Sequence, residues 1–61
     1  MPVVHIHMLE GRTVDQKKQL AEAITRAMVE IAKTKPEAVT IVIDDYPRTN
    51  WAKAGNLMTE Q

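Results

Sequence analysis

The sequence predicts an α/β fold built on a single βαβ unit with parallel strands, followed by a short C-terminal hairpin. Three observations lead to the βαβ unit: an apolar, β-branched run near the start, a long amphipathic stretch, and a second β-branched run. When one sheet contains a strand, a crossover helix and a second strand in this order, the strands are parallel and the crossover is right-handed in nearly all known cases. We expect residues 1–61 to form one domain.

The size and composition of the chain favour self-association. A domain of 61 residues buries only about 60% of its unfolded surface, and below about 70–80 residues a core usually needs disulfides, a metal or partner chains. The chain has no cysteine and only two histidines, whereas 44% of its residues are apolar. One helix covers only one face of a sheet, so the other face should meet another copy. We therefore expect a homo-oligomer.

The charge of the chain argues against several classes of partner. Lysine plus arginine equals aspartate plus glutamate, eight each, so the net charge is zero. Such a chain has no basic footprint for nucleic acid or for an anionic membrane. No apolar run approaches the roughly 20 residues of a membrane helix, and the start lacks the pattern of a secretory signal. We expect a soluble cytoplasmic protein with no nucleic-acid or membrane partner.

The first strand is predicted from Val3 to Leu9, between a proline and a glycine, because this run is rich in β-branched residues. Alternate residues of a strand share a face. The two faces carry Val4, Ile6 and Met8 on one side and Val3, His5, His7 and Leu9 on the other.

The helix is predicted to begin at Thr13, which forms a capping box with Gln16. Val29 is interpreted as an isolated exposed valine on the charged side of this helix. The helix should end near Thr34, because the residue before Pro36 is biased away from helical angles. At 100° per residue, the apolar stripe consists of Leu20, Ile24, Ala27, Met28 and Ile31.

The second strand is predicted from Val39 to Ile43, running on through Asp44. A turn follows over residues 46–50. Residues 51–55 are too few for an element of their own. Residues 56–61 are expected either to form a short strand, which would complete the C-terminal hairpin, or to fray.

Pro2 directly follows Met1, and its nitrogen is an amide as long as Met1 is attached. Removal of Met1 would turn this nitrogen into a secondary amine, which can exchange a proton or attack a carbonyl. Arg12 closes the turn after the first strand, about 20 Å from Pro2 at roughly 3.3 Å per residue. The two residues therefore do not meet within one chain, but they could meet across a subunit boundary if a neighbouring chain runs the opposite way.

His5 and His7 share a strand face, and two imidazoles at this spacing could hold a metal. Because Asp44 and Asp45 should lie nearer the Leu9 end of the parallel pair, no carboxylate or cysteine completes the shell. We therefore predict no metal site and interpret the histidines as packing or hydrogen bonding between subunits. Adjacent strand residues face opposite ways, so the two aspartates are interpreted as solvated charges rather than a carboxylate pair.

Trp51 is the only tryptophan and follows a proline–arginine turn. Two interpretations are open for it. It is either a core or interface aromatic, or the wall of an apolar pocket in which Arg48, three residues earlier, supplies a cation.

Taken together, these segments resemble the 4-oxalocrotonate tautomerase family, small tautomerases with an amino-terminal proline. The resemblance covers essentially the whole chain. It rests on Met1-Pro2, on Leu9-Glu10-Gly11-Arg12-Thr13 followed by Asp15-Gln16-Lys17, and on Asn50-Trp51-Ala52 with Gly55 soon after.

The resemblance implies a tautomerase-like fold in which two βαβ chains extend one sheet and three such dimers make a homohexamer. It also implies an isomerase that needs no cofactor and serves the degradation of aromatic compounds. Pro2 would be the general base that moves a proton between carbons of a small enol or dienol carboxylate, giving a conjugated ketone. Arg12 would bind the substrate carboxylate and draw electrons toward it, and Trp51 would keep the pocket apolar.

One position departs from the family pattern. The second arginine of well-studied members corresponds to Thr40, which supplies neither a charge nor a fork of donors. Arg48 is a hypothetical replacement. The departure leaves open both a dicarboxylate such as 2-hydroxymuconate and a monocarboxylate enol such as phenylenolpyruvate. The alternatives are a non-catalytic oligomerisation module of the same fold, or a hydratase- or dehalogenase-like activity on small unsaturated acids.

Overall fold

The structure, a computed structural model, describes residues 1–60. Strand β1 (Val3–Leu9), helix α1 (Val14–Ala32) and strand β2 (Thr40–Tyr46) follow one another along the chain. β1 and β2 pair in parallel, so α1 is the crossover between them. The predicted βαβ unit is confirmed, and β1 has the predicted bounds.

The register of the sheet decides which side chains share a face. Val3 pairs with Thr40 at one end and Leu9 pairs with Tyr46 at the other. Helix α1 covers one face, and Lys17 on this helix pairs with Asp45 of β2. The partly buried residues beneath α1 alternate along both strands, as the sequence predicts for β1; they are Val4, Ile6, Met8, Ile41 and Ile43.

Both ends of α1 are capped. At the start, the Gln16 amide N–H donates to Thr13 Oγ1 (3.1 Å) and the Thr13 N–H donates to Gln16 Oε1 (2.9 Å), which confirms the predicted capping box. At the end, Lys33 adopts a left-handed conformation with φ of 60°, and its N–H donates to the Met28 carbonyl. The helix therefore ends at Ala32, close to the predicted position.

Strand β2 runs further than the sequence indicated. It was expected to end at Asp44, and this bound is wrong because pairing with β1 continues to Tyr46. The Glu10 N–H then donates to the Tyr46 carbonyl at 2.9 Å. Asp44 consequently lies inside the sheet rather than at its end.

The C-terminal hairpin is also present. Strand β3 (Ala52–Lys53) pairs antiparallel with strand β4 (Asn56–Leu57). The two residues between them, Ala54 and Gly55, both have positive φ (53° and 83°), as a type I′ turn requires. The predicted hairpin is confirmed, although its first strand was not expected. Of the segment predicted to form a strand or fray, Gln61 lies outside the described residues.

The part of the chain whose exposure is described forms no closed core. Among residues 1–59, whose exposure is described, none is fully buried. The radius of gyration is 14.5 Å, whereas a compact domain of this length would have about 10.5 Å. This flat shape is what a chain that completes its core with other copies should have. No helix within residues 1–60 is long and apolar enough to cross a bilayer.

Three residues of α1 differ from the helical-wheel prediction. Ala27, assigned to the covered stripe, is exposed. Ile31, assigned to the covered stripe, is 81% exposed. The helix has 19 residues and each strand has seven, lengths of about 28 Å and 23 Å, so the helix is longer than the sheet it covers. Val29, assigned to solvent, is partly buried and lines a shallow hollow with Pro36.

Candidate active site

Pro2 lies half-buried immediately before β1. Its carbonyl accepts a hydrogen bond of 3.0 Å from the Thr40 N–H at the start of β2. The preceding residue, Met1, is 93% exposed. The chain thus brings Pro2 and Thr40 together at one end of the sheet, which we call the proline end.

Arg12 lies in the loop between β1 and α1, at the opposite end of β1. Its side chain is exposed and lines a hollow of about 190 Å³ together with Met8 and Leu20, on the face that α1 covers. Within its own chain the arginine therefore faces the groove between helix and sheet.

Arg48 and Trp51 also lie beyond the far end of β2. Arg48 is exposed and begins a short 3₁₀ turn, Arg48–Asn50. Trp51 is half-buried, with its indole edge-on to the Tyr46 ring at a centroid distance of 5.7 Å. Its carbonyl accepts a hydrogen bond of 2.8 Å from the Met58 N–H, which ties the hairpin to this loop. The indole packs on the sheet face opposite α1, and a role as pocket wall remains a prediction.

The single chain separates the predicted site residues into two groups. Pro2 and Thr40 are at the proline end, whereas Arg12, Arg48 and Trp51 follow the other ends of β1 and β2. The seven residues of β1 separate the two groups by about 23 Å. A site that uses all of them requires a neighbouring chain running the opposite way.

The two adjacent aspartates have separate partners. Asp44 contacts Nε2 of His5, and Asp45 pairs with Lys17 of α1 on the other face. The interpretation that they do not act as a carboxylate pair agrees with this geometry. Their description as merely solvated charges at a strand end is wrong, because both lie within β2 and have side-chain partners, Asp44 on β1 and Asp45 on α1.

A cluster on the uncovered sheet face escaped sequence reasoning. His5 contacts Asp44, and His7 shares a hydrogen bond of 2.7 Å with the Tyr46 hydroxyl. The expectation that no carboxylate lies beside the two imidazoles is therefore wrong. Each pair is separated by 39 residues, so only the register of the parallel strands reveals it.

Comparison with known proteins shows which family this chain resembles. The family model described as tautomerase enzyme matches residues 2–61. The chain is 46% identical over 55 residues to the 2-hydroxymuconate tautomerase of Comamonas testosteroni, which covers 90% of this chain and 87% of that protein.

Solved structures of tautomerase homologues have the same fold as this chain. TomN, a 4-oxalocrotonate tautomerase homologue in the tomaymycin biosynthetic pathway, superposes with a TM-score of 0.93 at 32% identity, covering 97% of this chain and 91% of that one. A heterohexamer 4-oxalocrotonate tautomerase from Chloroflexus aurantiacus gives 0.92 at 35% identity, covering 98% and 97%. This chain therefore belongs to the tautomerase family, as its resemblance to 4-oxalocrotonate tautomerases implied.

Proposed function

We propose that this chain is a tautomerase of small enol carboxylates whose general base is the Pro2 amine, released by removal of Met1. The observation that carries the proposal is how Pro2 is held. Its carbonyl accepts from the Thr40 N–H and so fixes Pro2 at the edge of the sheet. Because a prolyl nitrogen carries no N–H while Met1 is attached, removal of Met1 costs the sheet no hydrogen bond. Met1 is 93% exposed and is open to removal.

The proposed site lies between copies of the chain. Pro2 comes from one copy, and Arg12 and Trp51 come from a neighbour that runs the opposite way. The amine takes a proton from the enol and returns it to a carbon, forming the conjugated ketone. Arg12 binds the substrate carboxylate through its fork of donors and draws electron density toward it. The indole of Trp51 and the nearby guanidinium disfavour the charged amine, so they lower the pKa of Pro2.

The substrate class depends on the proline end of the sheet. Thr40, the neighbour of Pro2, carries no charge. Only one substrate carboxylate, the one that Arg12 binds, therefore has a cationic partner. A monocarboxylate enol such as phenylenolpyruvate needs no second cation. A dicarboxylate such as 2-hydroxymuconate needs one, and Arg48 is the hypothesised source.

We also propose that the chain works as a homo-oligomer, with the hexamer of three dimers as the expected arrangement. The open sheet face, the absence of a closed core among residues 1–59 and the radius of gyration of 14.5 Å support self-association. A single domain over residues 1–61 and a cytoplasmic location remain predictions.

The test compares the chain that begins at Pro2 with the chain that retains Met1, which has the same fold but an amide at this nitrogen. Each is incubated with 2-hydroxymuconate or phenylenolpyruvate, and ketonisation is followed by absorbance. We expect activity from the first chain and none from the second. Equal activity of both chains would refute Pro2 as the base. Inactivity of both on either enol would favour the non-catalytic module, which the neutral Thr40 makes the principal rival.

A further inference from the structure

Three potential ligands meet on the uncovered face of the sheet, outside the residues of the proposed active site. His5 and His7 alternate along β1, and Asp44 stands directly across from His7 on β2. One side-chain nitrogen or oxygen of each residue lies within 4.8 Å of the other two. We call this group the His–His–Asp cluster.

The donor set of this cluster suits a divalent transition metal. Two imidazoles and a carboxylate are common ligands of Zn²⁺, which binds them at about 2.0–2.2 Å. Tetrahedral coordination at that length needs ligand atoms about 3.3 Å apart. Small side-chain rotations of exposed residues supply the remaining movement, because the ligand atoms already lie within 4.8 Å of one another.

A hydrogen bond orients each histidine, and the two stacked rings, with centroids 4.3 Å apart and planes 23° apart, must tilt for both to reach one ion. Nδ1 of His7 is engaged by the Tyr46 hydroxyl at 2.7 Å. When this nitrogen carries the proton, Nε2 presents a free lone pair, as in metal sites whose histidines are held by an outer hydrogen bond. Nε2 of His5 points at the Asp44 carboxylate, so a metal would take the place of the proton between them.

The surroundings leave room for an ion. The side chains of His5 and Asp44 are each 46% exposed, and a pair this exposed adds little to stability by itself. Three protein ligands leave a fourth position open. Because the same sheet face is expected to meet a second copy, a water molecule or a donor from that copy would fill this position.

We propose that His5, His7 and Asp44 form a site for a divalent transition-metal ion such as Zn²⁺ or Co²⁺, with Tyr46 as a positioning residue. This replaces our sequence-based prediction of no metal site. The inference does not depend on the proposed tautomerase activity, because its test measures metal binding alone.

The test uses the assembled protein without a histidine tag, since both histidines of the chain belong to the cluster. After treatment with a chelator, Zn²⁺ binding is measured by calorimetry, and Co²⁺ is used to read coordination from its visible absorption. We expect one ion per chain with a Kd below about 10 µM and a tetrahedral Co²⁺ spectrum. A weaker Kd or an octahedral spectrum would overturn the proposal.

Matched variants locate the site. Asp44→Asn should weaken binding at least about 10-fold, whereas Asp45→Asn should leave it unchanged, because Asp45 faces α1 and pairs with Lys17. His7→Gln should abolish binding. Tyr46→Phe, which keeps the ring, should weaken binding by about 10- to 100-fold.

Circular dichroism confirms that each variant is folded before its affinity is compared. Equal affinities of the two asparagine variants, or retained binding in folded His7→Gln, would show that the cluster is only a hydrogen-bonded group.

Discussion

Replacing Thr40 by arginine should change which enol the protein prefers. The Thr40 N–H bonds to the Pro2 carbonyl at 3.0 Å, so the new side chain starts beside the proposed base. Thr40 is exposed, and the longer side chain therefore has space. Its guanidinium can then meet the second carboxylate of a dicarboxylate substrate bound at Pro2.

The size of the effect follows from the bond that is added. A hydrogen bond to a charged group contributes about 1.5–3 kcal/mol. At about 1.36 kcal/mol for each factor of ten, Thr40→Arg should raise the ratio of kcat/KM for 2-hydroxymuconate over phenylenolpyruvate by about 10- to 150-fold. The added positive charge also lowers the pKa of the Pro2 amine, so the acid side of the pH–rate profile should move to lower pH.

The assay is steady-state ketonisation of both enols by the chain that begins at Pro2. Thr40→Gln is the control, because it adds length and hydrogen-bonding capacity without charge. We expect Gln to change the ratio by less than about 3-fold. An equal change in kcat/KM for both enols in Thr40→Arg, or a Gln variant that reproduces the shift, would refute the reasoning.

The remaining predictions concern charge, assembly and stability. Arg48→Ala should lower kcat/KM for 2-hydroxymuconate at least about 10-fold, while Arg26→Ala should not; no loss would exclude Arg48. Val42→Lys, on the uncovered sheet face, should dissociate the assembly in sedimentation experiments, and Val14→Lys, 83% exposed, should not; an intact Val42→Lys assembly would contradict the proposed interface. Thr13→Ala removes the helix cap and should cost about 1 kcal/mol in urea unfolding; an unchanged midpoint would contradict this.

The parts of the fold that depend on neighbouring residues were predictable from the sequence. The predicted bounds of β1 were correct because a proline, a glycine and a β-branched run define the strand locally. The start of α1 was correct because Thr13 and Gln16 satisfy each other's backbone N–H groups within one turn. Nothing distant was needed for either element.

Features that depend on distant pairing were not predictable. The end of β2 at Tyr46 and the position of Asp44 both follow from the register with β1, which strand composition does not specify. Without that register, Asp44 was placed away from His5, which it contacts. The predicted burial of Ile31 was wrong for a related reason, because a helical wheel assigns a residue to a face without showing how far the sheet extends.

The proposed active site shows a third limit. The residues were named from a resemblance, and the single chain holds them at two ends of the sheet, with Pro2 at one and Arg12 and Trp51 at the other. Whether they meet depends on contacts between copies, which neither a sequence nor one chain contains. Removal of Met1 is likewise a processing event that the fold of the chain does not determine.

Titration of the Pro2 nitrogen in the assembled protein is the most direct test of the proposed mechanism. The protein is labelled with ¹⁵N at proline and prepared without Met1, and the chemical shift of this nitrogen is followed alongside kcat/KM. We expect both to change together, with an inflection at about pH 6–7.5. A rate that is flat across this range, or that rises while the nitrogen keeps its proton, would contradict the role of Pro2 as the base.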